Sequence, residues 1–330
     1  MWLFCDEVKR MDKISEVITQ EMTAFEQYFK EAVKSKVPLL DRITRYIVNR
    51  KGKQLRPKFV LLSAKLGGEI NITTLRAASL VELLHTATLV HDDVVDDASE
   101  RRGFFSINAL WKNKVAVLVG DYLLSKGLLL SLENNDFEVL KILSEAVKMM
   151  SEGELLQIEK ARNLNVHEDV YYEIIKGKTA SLLASACGAG ASTTFKETKQ
   201  IEKLKSFGEK TGMAFQIKDD LFDYGSENVG KPTGNDIKEK KLTLPLIYTL
   251  NNSDKTLKRK LIYILKNENT KKEKIKFVID TVNEKGGIDY AKKKMFCYRD
   301  QALSILHEFP QSQVRDALEQ LVRYTTDRNY

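Results

Sequence analysis

Apolar positions recur every three or four residues along almost the whole chain. Ile14, Val17, Ile18, Met22, Phe25 and Phe29 trace one stripe, and Ile201, Leu204, Phe207, Thr211 and Phe215 trace another. That spacing is the signature of helices with one face turned to a core. The stretch Leu75–Val95 is apolar on most sides, which predicts a helix buried all round. Only Val115–Val119 reads as a strand, and the helix-forming segment Asp121–Leu132 follows it without a break. Turn-forming pairs such as Gly67-Gly68, Asn134-Asn135 and Gly286-Gly287 fall between the helical stretches. The pattern predicts an all-α helical bundle.

Two acidic clusters interrupt this pattern with the same spacing: Asp92-Asp93-Val94-Val95-Asp96 and Asp219-Asp220-Leu221-Phe222-Asp223. On a helix, positions i, i+1 and i+4 fall within about 100° of one another, so each cluster aims three carboxylates into one small region. Like charges so close are costly to bury without a cation between them. Hard oxygen ligands suit Mg²⁺, which in turn usually holds substrate phosphates. A solvated acidic helix face would explain either cluster alone; the repeat, with basic residues close behind each, favours a metal–phosphate site between two aspartate-rich core helices.

Composition narrows the picture. A chain of 330 residues with 43% hydrophobic and 30% charged positions is of the soluble globular type. Its five prolines are scattered and no linker stands out, so residues 11–330 read as one all-α domain, with residues 1–10 as an N-terminal extension. No uninterrupted apolar run reaches the ~18 residues of a membrane span, and the acidic start does not resemble a signal peptide. The three cysteines form no metal or disulfide pattern, which makes the cytoplasm the default location. The net charge of +7 is concentrated in Lys255–Lys276, where lysines alternate with Leu and Ile as on the solvated face of amphipathic helices. This favours a solvated helix face over a nucleic-acid groove, and no nucleic-acid partner is expected; a basic nucleic-acid-binding protein is the weakest competing reading.

Basic residues accompany the aspartates. Lys53 and Arg56 stand three apart at a helix start after Gly52, where an anion is already favoured. Arg101-Arg102-Gly103 follows the first cluster; Lys178-Thr179 lies mid-chain; Lys231 and Lys241 bracket a polar loop after the second cluster. His85, two turns before Asp92, suits either a core histidine or a phosphate donor. No phosphate-binding loop for nucleotides and no nucleophile–base triad is present.

These segments resemble the trans-isoprenyl diphosphate synthases, the polyprenyl diphosphate synthases among them. Leu89–Asp97 with Arg101-Arg102-Gly103 is similar to the family's first aspartate-rich motif and Phe215–Asp223 to its second. Gly52–Pro57, Gly120–Leu124, Glu152-Gly153-Glu154, Lys178-Thr179 and Gly234-Asn235-Asp236 through Pro245 match further blocks, from about Ile43 onward. The resemblance implies an isoprenoid-synthase bundle with a central cavity. It also implies a homodimer, and a prenyltransferase that adds isopentenyl diphosphate to an allylic diphosphate with Mg²⁺. It places Asp92, Asp93, Asp96, Asp219, Asp220 and Asp223 as metal ligands. Arg101, Lys178, Lys231 and Lys241 would clamp the allylic diphosphate, and Lys53, Arg56, His85 and Arg102 would bind isopentenyl diphosphate. Thr179 and Gln216 would steady the allylic cation by their dipoles. Three departures stand out: Gln54 where Arg is frequent, Phe104-Phe105 where Lys-Pro is frequent, and Lys240 where Gly is common.

Product length in such enzymes is steric, so the residues before Asp92 matter. One helical turn, ~5.4 Å, is comparable to one isoprene unit. The small Ala87 and Thr88 sit one turn back, and Leu84 another turn down. They predict an open floor and a long product, octaprenyl length for preference, suited to a quinone side chain. A lipid product implies transient membrane contact. The competing readings are a shorter-chain synthase, a terpene cyclase and a non-catalytic subunit of a heteromeric synthase. Intact aspartates in both clusters speak against the last two.

Overall fold

The structure is a computed structural model that describes residues 14, 16–49, 52–101, 104–163, 167–225 and 234–327. The chain runs through α1 (Thr19–Ala32), α2 (Pro38–Val48), α3 (Leu55–Gly67) and α4 (Ile72–Val95). A two-residue hairpin, β1 (Glu100–Arg101) and β2 (Phe104–Phe105), is followed by α5 (Ile107–Trp111), α6 (Asn113–Leu132) and α7 (Phe137–Asn163). Then come α8 (Glu168–Ile175), a π-helical segment (Lys176–Ala180), α9 (Ser181–Ser192) and α10 (Thr198–Phe222). The C-terminal part holds α11 (Asn235–Lys238), α12 (Leu244–Asn251), α13 (Lys255–Asn267), α14 (Lys272–Glu284), α15 (Gly287–Leu306) and α16 (Gln313–Asp327). Among the described residues the antiparallel hairpin, Glu100 opposite Phe105 and Arg101 opposite Phe104, is the only sheet. The all-α expectation holds.

Helix α4 is the axis of the bundle, with α1, α3, α6 and α9 packed around it. It starts at a capping box in which Asn71 accepts from the Thr74 N–H at 3.0 Å, and the Asn71 N–H donates to Thr74 Oγ1 at 3.3 Å. Ala77, Leu80, Val81 and Leu83 are wholly buried. Each such aliphatic side chain contributes about 1.5–3 kcal/mol relative to exposure. The first apolar stripe docks α1 on this axis, with Ile18 and Phe25 fully covered. The second orients α10 against α9 and α15 through Leu204, Phe207 and Thr211. Thus the helix ends that carry the aspartates are held from below by packed core.

Two sequence expectations change here. Val115–Val119 is no strand; it lies inside α6, because β-branched residues on a helix packed along α4 follow tertiary context over local propensity. That same helix is long and apolar enough to cross a membrane by length and composition, its apolar residues being interrupted by Lys114, Asp121 and Lys126. One side of it packs on α4, while Val117, Leu118 and Leu129 are exposed on the other. The proposed extension, residues 1–10, lies outside the described residues.

Candidate active site

The first aspartate cluster occupies the last turn of α4, and the second the last turn of α10. Both line one cavity of about 770 Å³. Lys178 and Thr179 enter it from the π-helical segment, Gln216 from α10, and Tyr171 from α8. Asp236 on α11 and Lys241 just beyond it add to the polar wall, as do Lys160 and Glu239.

The six clustered carboxylates are not equivalent. Asp92 and Asp96, one turn apart, line the cavity; Asp93 lies 100° round the helix, buried and off its wall. The Asp93 backbone oxygen accepts from the Ala98 N–H at 2.9 Å and from Asn108 Nδ2 at 3.1 Å, which fixes the turn out of α4. Asp220 accepts from Tyr171 Oη at 2.7 Å on one oxygen and from Gln216 Nε2 at 2.9 Å on the other. Asp223 accepts from the backbone N–H of Asn235 at 2.7 Å and of Asp236 at 3.2 Å, so its side chain caps α11. Of the six aspartates expected as metal ligands, five line the cavity and Asp93 does not. The Asp220 and Asp223 carboxylates are thus hydrogen-bonded by the protein while they line the cavity beside Asp92, Asp96 and Asp219. Asp236 joins them; its motif was visible in the sequence but no role was read into it.

Burial raises the pKa of the inner carboxyls. Asp220 is pushed up to about 6 by burial, partly offset by the Tyr171 and Gln216 hydrogen bonds. Asp236 rises to about 7 through burial and then the charges of Asp220 and Asp223. Burial also raises Asp223 against the pull of its backbone donors. Such perturbation in a cleft is characteristic of functional sites. Among the described residues no three potential ligands are already gathered into a cage.

Each cationic wall residue rests on a glutamate. Lys178 pairs with Glu154, Lys241 with Glu239, and Lys160 with Glu159 at 2.9 Å. Burial works against the Lys241 charge, but Glu239, then Asp236 and Asp96, hold its pKa above the ordinary value. Thr179 Oγ1 donates to Gln216 Oε1 at 2.7 Å, so the two residues expected to face a cation are joined. Their position depends on backbone contact between α7 and the π-helical segment. A Cβ on Gly153 would meet the Lys178 nitrogen at 2.8 Å, and one on Gly177 the Met149 oxygen at 2.9 Å. A π-turn at a functional site is a recurrent device; here it directs Lys178 and Thr179 to the cavity.

Other predicted residues lie elsewhere. Lys53, Arg56 and His85 do not line this cavity. Arg56 is in the first turn of α3, Lys53 sits over the Tyr324 ring at 5.1 Å, and His85 is half-buried on α4. Arg102 and Lys231 fall outside the described residues, and Arg101 is described only as a strand partner of Phe104. Ala87 and Leu84 are buried, and Thr88 donates from Oγ1 to the His85 carbonyl at 2.9 Å. Of the departures, Gln54 and Lys240 both have left-handed backbones, φ 49° and 59°. At position 240 this is the physical reason a glycine is favoured.

An all-α bundle whose two acidic helix ends share a cavity with lysines has the make-up of an enzyme that handles diphosphates. The chain belongs to the polyprenyl synthetase family, whose pattern matches residues 37–282. It is 36% identical to the all-trans-nonaprenyl-diphosphate synthase (geranyl-diphosphate specific) of Rhodobacter capsulatus, over 94% of this chain and 96% of that one. It is 30% identical to the octaprenyl diphosphate synthase of Escherichia coli over 97% and 99%. With heptaprenyl diphosphate synthase component 2 of Bacillus subtilis the figures are 34% over 95% and 89%. A decaprenyl diphosphate synthase from Rhodobacter capsulatus superposes with a TM-score of 0.92 at 32% identity, covering 97% of this chain and 99% of that one. A polyprenyl synthase from Caulobacter crescentus, solved with calcium and isoprenyl diphosphate, gives 0.90 at 32% over 97% and 98%. A geranylgeranyl pyrophosphate synthase from Bacteroides thetaiotaomicron gives 0.84 at 36% over 97% and 100%. The chain is thus a prenyltransferase of the isoprenoid-synthase fold and a trans-polyprenyl diphosphate synthase.

Proposed function

We propose that this enzyme makes a long-chain all-trans polyprenyl diphosphate, of octaprenyl length, by repeated addition of isopentenyl diphosphate to an allylic diphosphate such as farnesyl diphosphate. The observation that carries the length is the small pair Ala87 and Thr88, one turn below Asp92 on α4. Next down is Leu84, an aliphatic side chain and not an aromatic plug. The names of the relatives, octaprenyl and nonaprenyl synthases among them, support it. The geranylgeranyl synthase at 36% identity shows that overall similarity does not separate product classes, so the floor residues bear the argument.

Asp92, Asp96 and Asp219, with Asp236 beside them, would hold Mg²⁺; the donor set is all hard oxygen, and the calcium in the Caulobacter relative is of the same chemical class. When bound, Mg²⁺ neutralises diphosphate charge and so makes diphosphate a good leaving group. Lys178 and Lys241 exchange their glutamate partners for diphosphate oxygens and orient the group. Thr179 and Gln216 face the allylic carbon as its bond to oxygen breaks. The double bond of isopentenyl diphosphate attacks that carbon, and the departing diphosphate takes the proton released from the new adduct. Lys53, Arg56, His85 and Arg102 are proposed for isopentenyl diphosphate.

A second copy of the chain covers the exposed side of α6 in this proposal, because Leu118 is 60% exposed and Leu155 on the adjoining α7 is 67% exposed. The similarity to a synthase named as component 2 favours a second reading, in which a different chain takes that place. Incubation of the purified chain with farnesyl diphosphate, labelled isopentenyl diphosphate and Mg²⁺ tests both. A single long all-trans polyprenol after dephosphorylation supports the proposal. Geranylgeranyl length would overturn the long-chain reading, and no incorporation would favour the two-component one.

A further inference from the structure

Tyr171 has no part in the chemistry above, yet it stands in the cavity wall, 3% exposed, with its hydroxyl on a carboxylate of the second aspartate cluster. Four wall residues form one directed chain. Tyr171 donates to Asp220 Oδ2 at 2.7 Å, Gln216 Nε2 donates to Asp220 Oδ1 at 2.9 Å, and Thr179 donates to Gln216 Oε1 at 2.7 Å.

The direction matters because a glutamine amide has two ends of nearly equal shape and opposite polarity. Its oxygen accepts and is negative; its NH₂ donates and is positive. Beside a developing carbocation the oxygen end stabilises and the NH₂ end repels. Nothing in the shape of Gln216 itself selects between them. An ionised carboxylate, however, only accepts, so Asp220 selects the NH₂ end and leaves the oxygen on the Thr179 side.

We propose that Tyr171 is a positioning residue: by anchoring the second oxygen of Asp220 it keeps that carboxylate turned to Gln216 and so locks the amide with its oxygen toward the reacting carbon. The proposal rests on the reading that Thr179 and Gln216 face the allylic cation. Asp220 thereby acts through Gln216, which accounts for a carboxylate of the motif having both oxygens bonded to neutral side chains. The anchor comes from α8 and the rest of the chain from α10 and the π-helical segment, so three separately packed elements set one dipole. Local sequence around either aspartate cluster gives no sign of it.

Tyr171→Phe removes only the hydroxyl and keeps the ring contact with Tyr172. The expected result is a fall in kcat of about tenfold, a fraction of what loss of a whole stabilising dipole costs. KM for both substrates should stay unchanged, as should the calorimetric affinity of the substrate-free enzyme for Mg²⁺ with inorganic diphosphate. Gln216→Leu should fall at least as far. The double variant should be no slower than Gln216→Leu alone, because Tyr171 acts through that amide. If the two losses multiply in the double variant, the lock is overturned. The same follows if Tyr171→Phe weakens diphosphate binding in proportion to its rate loss, or if it keeps full activity while Gln216→Leu does not. Full activity in Gln216→Leu would overturn the dipole reading itself, and the lock with it.

Discussion

At the scale of single residues, the site separates carboxylates that sequence spacing treats alike. Asp236 should matter as much as the wall aspartates of the motifs, so Asp236→Asn is expected to lower kcat by about 10²-fold in the prenyl-transfer assay. The raised pKa values give this variant a second signature. Asp220 at about 6 and Asp236 at about 7 both exceed the ordinary 3.8. The folded protein therefore keeps protons that the unfolded chain has released. That contribution to stability is complete below about pH 4 and is lost as pH rises through 6 and 7. Without divalent cations, melting temperature should accordingly carry a downward component between about pH 4 and pH 7. Asp236→Asn, which cannot ionise, should remove part of it and melt higher than the unaltered protein at pH 8. A variant that melts lower there would refute the assignment. Ala87→Phe places an aromatic ring one turn below Asp92 and should truncate the product to farnesyl or geranylgeranyl length, read by chromatography of the dephosphorylated prenols. An unchanged product would put the ruler elsewhere, with Met149 and Met150 on α7 the next residues to replace.

Whole elements act through how closely they approach. The cavity's Lys178 and Thr179 are delivered by backbone contact between α7 and the π-helical segment at Gly153 and Gly177. Gly153→Ala should force these apart, costing about 1–3 kcal/mol of stability and most of the activity. Measured by denaturant unfolding and turnover together, a variant that loses neither would show that the approach is not required. At the other end of α4, Arg76 grips Asp136 through two hydrogen bonds, Nη2 to Oδ1 at 2.9 Å and Nε to Oδ2 at 2.5 Å. Both side chains are largely buried, and the pair ties the base of the axis helix to the turn before α7. Removing one partner of such a pair strands a buried charge, so Asp136→Ala should destabilise by about 3–5 kcal/mol in the same unfolding measurement. Product length should not change, because the pair lies at the end of α4 away from the aspartates.

For the molecule as a whole, the exposed leucines of α6 are the feature the isolated chain does not explain. If a second copy covers them, Leu118→Glu should convert a dimer to a monomer in light scattering. A variant that keeps its mass would place the interface on another face. The helical class of the fold was legible from the three-and-four spacing, since a helix buries whichever face carries its apolar residues. The chemistry was legible from the repeated aspartate spacing, since carboxylates one turn apart on a helix must share a face. The Val115–Val119 segment was misread because β-branched residues favour strands only locally, and α4 supplies a helical groove for them. The use of each aspartate was not legible either. Asp93 lies off the cavity wall that Asp92 lines, and only the neighbours Tyr171 and Gln216 show that the Asp220 carboxylate is already engaged.

The sequence by itself determined the helices, the two acidic helix ends and the family, because these depend on periodicity and on residues close in the chain. Tertiary structure alone decided which carboxylates face the cavity, where Lys178 and Thr179 stand, and which way the Gln216 amide points. Those properties are set by contacts between α4, α7, α8 and α10, and the direction of a hydrogen bond depends on the partner that packing brings to it.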